Sequence, residues 1–322
     1  MAFLTGYASI SRRAMTGTIP VVARSHPLAK GLLAAFYPAA FPGSTMTNLA
    51  VPGLLDLTVR RNANSYNVNT PEGPGLNGIL GQANTSGLPA NFVANPPTGA
   101  VSLFIRGKWG PINTGTAPAQ MFGFYINTTN FLQLALLAAP DQPAPSDSVI
   151  GVAYPTNTTT TALPAGTTVP VVGSMVSAGA SFVSGALPSL YVNGIQQVLQ
   201  GSPSVMVSPL ANWNANGQFT LQEFQSSTRT GSMVATVAYA WGNRFLTAGE
   251  HAYLNANPYS LLRWPIDVVY DVLEQPASTP PTGTATSKAM ILAPLTVGLG
   301  GVATAERWLR QRKDAIRRLR GE

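Results

Sequence analysis

The sequence predicts an all-β protein: an antiparallel β-sandwich, closed by one short helix after the last strand, with extended arms at both ends. Three observations predict it. Short β-branched and aromatic runs recur between clusters of Gly, Pro and Asn, the pattern of strands separated by turns. Gly (31) and Pro (27) are frequent in the 322 residues, while only 10% are charged, well under the usual quarter. Disorder goes with high charge and few β-branched or aromatic residues, and the chain has neither trait. Finally, Asn193-Gly194 interrupts the β-rich run Ser189 to Leu199. Both central residues of a type I′ hairpin turn need positive φ, so this is the strongest short hairpin signal available.

Taken in order, residues 1 to 25 are small, polar and basic and read as an arm. The body opens at His26 with HPLAKGLLAAFYPA and continues to NLAVPGLLDLT. Strands are expected over Val101 to Lys108, Met121 to Ile126, Phe131 to Leu137, Val149 to Tyr154, Val169 to Val176, Ala180 to Val183, Leu187 to Val192, Ile195 to Leu199, Gln218 to Gln222 and Met233 to Trp241. Thr58 to Gly99 gives no clear pattern and reads as loop-rich. After Trp241, Thr247 and Glu250 form a Thr-x-x-Glu capping box, in which hydroxyl and carboxylate satisfy backbone N–H groups at a helix start. Pro258 ends that helix, because Asn257 before it is pushed out of helical angles.

The closing order of strand, Trp241-Gly242-Asn243-Arg244, capped helix and Asn257-Pro258-Tyr259 resembles the end of LamG-like domains. These are concanavalin A-like jelly rolls common on bacteriophage virion proteins and other extracellular recognition proteins. The His26-Pro27-Leu28-Ala29 opening, the Asn48-Leu49 and Asp56-Leu57-Thr58 phrases, and the Tyr191-Val192-Asn193-Gly194 hairpin resemble the same family. The resemblance covers about residues 26 to 265. It implies a single sandwich over 26 to 275 and a setting on a tailed-phage particle, without naming a ligand.

Charge separates the body from the ends. Residues 1 to 30 hold Arg12, Arg13, Arg24 and Lys30 with no acid, and residues 288 to 322 hold eight bases against three acids. The stretch between has seven bases and nine acids, so the net +7 belongs to the ends. This argues against a nucleic-acid-binding body and for arms that touch an acidic partner. Pro276 to Lys288 opens as a Pro/Thr-rich linker. The 17 uncharged residues Ala289 to Ala305 precede a basic amphipathic helix. The anchoring set is Arg12, Arg13, Arg307, Trp308, Arg310, Arg312, Lys313, Arg317, Arg318 and Arg320. Residues 289 to 305 are read either as an arm docking on partner subunits or as a short membrane span weakened by Pro294. No secretory signal is recognised, since charges interrupt any apolar core behind Arg12-Arg13. The expected location is therefore a virion assembled in the host cytoplasm.

The residues that carry chemistry are few. There is no cysteine, hence no thiolate site. The acids lack the alternating spacing that aims two carboxylates into one groove, as a glycosidase needs, and no catalytic residue is expected. His251, inside the capped helix, reads as a packed or surface residue rather than a base, and His26, just before Pro27, as a strand-entry residue. No cofactor is expected; a structural calcium would need Asp141 and Asp147, or Asp56 completed by carbonyls. Sugar stacking would fall to Trp109, Tyr154 and Trp213 at strand ends or in Asn-rich loops, against the alternative that these rings cap the core. Trp241 and Trp264 are assigned to the core and closing segment. The functional expectation is a non-enzymatic structural protein of a tailed-phage virion. Its partners would be capsid, portal, neck or tail proteins and copies of itself, with DNA or an acidic protein surface open for the C-terminal arm. A glycan-binding host adhesin, a membrane-anchored surface lectin and, last, a polysaccharide lyase stay as alternatives.

Overall fold

The computed structural model describes residues 19–264 apart from 42, 61–67, 78–81, 111–118, 127–129, 139–147, 157–160, 202, 208–209, 211–212 and 223–232. The basic stretch before residue 19, the linker and the whole C-terminal arm lie outside the described residues.

Strands β1 (Val21–Val22), β2 (Leu32–Phe36), β3 (Thr45–Met46), β4 (Leu57–Arg60), β5 (Val68–Thr70), β6 (Gly73–Asn77) and β7 (Gln82–Asn84) precede a one-turn helix α1 (Ala90–Ala94). Then β8 (Ala100–Trp109), β9 (Ala119–Tyr125), β10 (Phe131–Ala138), β11 (Ser148–Pro155), β12 (Thr161–Ala162), β13 (Met175–Val183), β14 (Ser189–Val192), β15 (Ile195–Gln196), β16 (Gln218–Leu221) and β17 (Met233–Gly242) lead to helix α2 (Ala248–Ala256) and β18 (Leu262–Arg263). One antiparallel sheet runs β12-β11-β10-β9-β16-β7-β4-β3. The other runs β15-β14-β13-β8-β17-β6-β5, with β2 sharing the β6 edge of β17. The protein is an all-β sandwich of the concanavalin A-like kind, with one helix after its last long strand.

Between the sheets lies an apolar core. Phe122, Phe124 and Phe219 of the first sheet meet Phe36, Leu103, Ile105, Trp109 and Phe182 of the second. Ring centroids of Phe124 and Phe219 are 4.3 Å apart. A second cluster covers the outer face of the second sheet, where Phe104, Val237, Tyr239 and Trp241 pack under Leu28, Leu254, Tyr259, Leu261 and Trp264. The switch of faces within β17 comes from a bulge between Ala235 and Val237. One extra residue turns Val237, Tyr239 and Trp241 outward, because a strand changes face with every residue. The covering segments also satisfy the polar atoms of these rings. Trp241 Nε1 donates to the Leu28 carbonyl at 2.6 Å, and Tyr239 Oη donates to the Pro258 carbonyl at 2.9 Å.

The opening and closing words now have physical meanings. The Arg244 guanidinium donates to the carbonyls of Pro27 and Lys30 and to the Glu250 carboxylate, tying the HPLAKG loop to α2. Thr247 Oγ1 accepts from Glu250 N–H, and the Glu250 carboxylate accepts from Thr247 N–H. Asn193 and Gly194 both have positive φ, 51° and 78°. Asn48 is fully buried and uses its whole side chain. Its Oδ1 accepts from Ala35 and Ala50 N–H, and its Nδ2 donates to the Leu33 and Leu54 carbonyls at 2.8 and 2.6 Å.

Three expectations change. Thr58 to Gly99 holds β5, β6, β7, α1 and most of β4 rather than loop. Its strand GPGLN escaped notice because Gly75 lies under β17, where a methyl would stand 2.6 Å from the Ala235 carbonyl oxygen. Val169 to Ser174 is not a strand: Pro170 lacks the ladder N–H and Gly173 takes φ 87°. Instead β13 starts at Met175 and absorbs Ala180 to Val183. Residues 21 and 22, expected within the arm, form β1 and pair with β18.

Asn48→Ala is expected to lower the unfolding free energy by about 3 kcal/mol or more, since it strands buried N–H and C=O groups. Urea denaturation measures this, with the exposed Thr45→Ala expected to stay within about 0.5 kcal/mol of the parent.

Candidate functional site

The outer face of the first sheet carries a row of Gln, Thr and Asn at its centre, beside apolar Tyr125, Phe131, Ala135 and Val149. Alternation along each strand sends Phe122, Phe124, Leu132, Leu134, Phe219, Leu221 and Ala83 inward and leaves their neighbours facing out. Register then aligns one row across seven strands. Ala153 pairs with Gln133, Gln133 with Gly123, Gly123 with Thr220, Thr220 with Asn84, Asn84 with Thr58, and Thr58 with Thr45. Thr45 and Thr58 are exposed, whereas Asn84, Thr220 and Gln133 are shielded from solvent at 0, 0 and 1% exposure. Gly123, with φ 144°, leaves the middle of the row without a side chain. A methyl there would sit 2.4 Å from the Leu132 carbonyl oxygen, so no larger residue fits.

The amides of this face are not paired off. Asn84 Oδ1, Gln133 Nε2 and both amide atoms of Gln222 are buried with no hydrogen-bond partner. Asn84 Nδ2 makes only a long 3.5 Å contact to Gln218 Oε1. Gln222, directly after β16, also holds φ 60°, an unusual backbone for a residue with a side chain. Buried polar atoms nearly always find partners, so a cluster of orphaned ones calls for an explanation.

The titratable groups lie elsewhere and are engaged. On the outer face of the second sheet, Arg106 grips Glu72 through Nε and Nη2, and its Nη1 donates to Asn255 Oδ1 of α2. Tyr259 Oη donates to Glu72 Oε2 at 3.0 Å. Burial first, then the neighbouring Glu72 charge, hold the Tyr259 phenol well above its ordinary pKa. The His251 ring stacks on Tyr191 at 4.1 Å, over Gly179. Its Nε2 lies 2.9 Å from Ser181 Oγ, which donates to the Leu246 carbonyl and touches Ser102 Oγ. With Ser181 Oγ donating to the Leu246 carbonyl, Nε2–H of the ring can donate to that oxygen, while Nδ1 is buried without a partner. Burial pushes the His251 pKa down to about 3 against a small opposing pull from Glu250.

The aromatics expected to stack on sugar are corrected. Trp109 and Tyr154 are fully buried and Trp213 is 8% exposed. Trp109 and Tyr154 face the other sheet, Tyr154 Oη donates to the Ser204 carbonyl, and Trp213 packs edge-on against Phe92 and Phe124. None offers a ring face to solvent. The exposed aromatics among the described residues are Phe245 and Tyr253, at 42% each, and Tyr253 Oη lies 3.1 Å from His26 Nε2. Asp56, considered for calcium, accepts from the N–H groups of Asn48 and Gly53 through Oδ1. An oxygen facing amide protons caps a turn rather than meeting a cation. Asp141, Asp147, Arg12, Arg13 and the arm residues Arg307, Trp308, Arg310, Arg312, Lys313, Arg317, Arg318 and Arg320 lie outside the described residues. Among the described residues no group of three or more His, Cys, Asp or Glu converges as a metal site, and no helix is long and apolar enough to cross a membrane.

No family model matches the chain, and no curated protein does. Solved structures do resemble it. Trypanosoma rangeli sialidase in complex with sialic acid aligns with a TM-score of 0.47 and 13% identity, covering 80% of this chain and 39% of that one. The chain thus spans about two fifths of the sialidase. Domain 4 of a GH43 extracellular arabinanase from Geobacillus stearothermophilus, in complex with arabinotriose, aligns at 0.45 and 14%, covering 70% of this chain and 98% of that domain. A structure described as a receptor binding domain aligns at 0.47 and 11%, over 71% and 51% of the two chains. These likenesses concern the sandwich architecture and leave the use of its faces to the residues themselves.

The depressed His251 value makes stability depend on pH. The unfolded chain takes up this proton near pH 6.5, and the folded chain only near 3. The contribution is therefore complete above about pH 6.5 and is lost as pH falls toward 3, at up to about 1.4 kcal/mol per pH unit. Denaturant unfolding from pH 7 to 4 should fall less steeply for His251→Phe, which keeps a ring over Tyr191, than for the parent.

Proposed function

We propose that this chain is a non-enzymatic structural protein of a tailed-phage particle. A LamG-like sandwich would be displayed outward as a capsid decoration, head fibre, neck or tail appendage, and the two basic ends would hold it. One observation carries the reading. Val21 and Val22 of β1 pair with Leu262 and Arg263 of β18, and Ala23 N–H donates to the Leu261 carbonyl at 2.8 Å. The body is therefore entered and left at one place. The segments continuing from there include Arg12 and Arg13 on one side and the eight bases of residues 288 to 322 on the other. Two basic end segments continuing from one place on a body of net charge −2 suit a molecule gripped at its base.

The absence of a catalytic role is also part of the proposal. The imidazole of His251, the hydroxyls of Ser102 and Ser181 and the phenol of Tyr259 are buried or nearly so. Each is engaged in holding α2 or the segments flanking it to the second sheet and its β5–β6 turn. A group that must bind substrate needs a free face, and these have none.

Removal of residues 276 to 322 is expected to leave a folded sandwich, with an unfolding midpoint close to the parent's, that no longer co-purifies with particles. Normal incorporation of the truncated chain would end the anchoring reading.

A further inference from the structure

We infer that one flank of the sandwich, where the β11–β12 edge of the first sheet meets the β14–β15 edge of the second, is a contact surface for a second copy of this chain. The inference goes beyond the display role and does not depend on it.

From Ser148 to Gln222 the chain carries no Asp, Glu, Lys, Arg or His. The same run holds eight of the thirteen exposed large hydrophobic residues among those described, with Val171, Val198 and Ile195 at 73, 72 and 68% exposure. Hydrogen bonds lash the segments that carry them into one surface. Ala165 and Gln200 each donate N–H to the other's carbonyl, and Gly166 N–H donates to the Ile150 carbonyl of β11. Gln197 Oε1 accepts from Thr168 N–H and from the hydroxyls of Thr167 and Thr168, which holds Val169 beside the β14–β15 hairpin. Met206 N–H donates to the Ala186 carbonyl at 2.9 Å, setting Val205 beside Leu187. Leu187 leads directly into β14, whose partner is β15, so the two groups are continuous.

Single exposed hydrophobics are ordinary, whereas a contiguous group marks a contact. Eight side chains this exposed leave several hundred Å² of apolar surface, approaching the ~800 Å² that each partner gives to a standard interface. Branched aliphatic side chains offer a polar ligand nothing to bond, so another apolar surface must cover them. The remaining five exposed hydrophobics among the described residues are divided among residues 19–21, 51 and 245–253. The matching apolar surface in this chain is therefore the flank itself. A two-fold axis sets such a patch against its own copy, the commonest arrangement of soluble oligomers. Charge favours the same partner. Chains of net +7 repel where their bases meet, and this run is where two copies touch without opposing like charges of its own.

Sedimentation of the purified full chain reads its mass at up to about 100 μM, enough for interfaces of standard size, which bind in the μM to pM range. The expected result is self-association that holds between about 0.1 and 1 M NaCl, because an uncharged contact is not screened. The double variant Ile195→Lys/Val198→Lys should weaken it at least about a hundredfold, and Val171→Lys about tenfold, by burying unpaired charge. Val51→Lys, exposed but outside the flank, should leave it unchanged. All variants should keep the parent's unfolding midpoint, since the replaced side chains already face solvent. A chain that stays monomeric at about 100 μM overturns the inference and leaves the flank to a different protein. Association that the flank variants do not weaken overturns it, as does association that about 1 M NaCl dissolves, which would belong to the charged ends. Flank variants that lower the midpoint also overturn it, because those side chains would then be holding the fold. Particle incorporation is not read, so the anchoring proposal stands or falls separately.

Discussion

A long strand with apolar side chains on both faces cannot stand at the surface of a sandwich. Met233–Gly242 is such a strand, buried at nine of its ten residues, and the arrangement of the rest answers to it. Its inward side chains complete the core between the sheets. Its outward Val237, Tyr239 and Trp241 need a second cover, and the chain supplies one from both ends of the body: the segment from Val22 to Leu32, and α2 with the residues after it. Burying an indole and a phenol also demands carbonyls for their donors, which Leu28 and Pro258 provide. The opening and closing words of the sequence are the two halves of this cover, joined by Arg244.

The two outer faces then diverge in character. Where the cover lies, several polar groups hold it in place: Asn48 makes four side-chain hydrogen bonds, Arg106 and Glu72 hold each other at 2.5 Å, and His251 lies between Ser181 and Tyr191. Where it does not, amides remain unmatched on a floor of Thr, Gly and Gln. Unmatched atoms occur on both sides, since Tyr37 Oη, His251 Nδ1, Ser260 Oγ and Trp264 Nε1 are also buried without a partner.

The legible parts of the sequence were those governed by local backbone chemistry. Asn193-Gly194 fixes its turn because few residues tolerate two positive φ values in succession, and Thr247 with Glu250 caps α2 within a single turn. Strands with long β-branched or aromatic runs, β8, β10, β11 and β17, announced themselves by composition. What stayed hidden depends on distant neighbours. Gly75, Gly107, Gly123 and Gly179 sit in strands because a carbonyl or the His251 ring presses against the position a methyl would occupy, and no local pattern encodes that pressure. The candidate site was missed for the same reason. Asn84, Gln133, Thr220 and Gln222 are scattered over 139 positions of an Asn-, Gln- and Thr-rich chain, and only strand register brings them side by side. Trp109, Tyr154 and Trp213 drew notice by residue type, but the inward alternation of their strands or the packing around α1 turned them into core.

The zipper of β1 against β18 also sets how the body answers to force. Tugging its two ends apart would peel a two-residue ladder one bond at a time. Dragging the body away from ends held together instead loads the Trp241 and Arg244 attachments along their length, all at once. A module whose described ends lie side by side is thus weaker against prying apart than against hauling at both ends together.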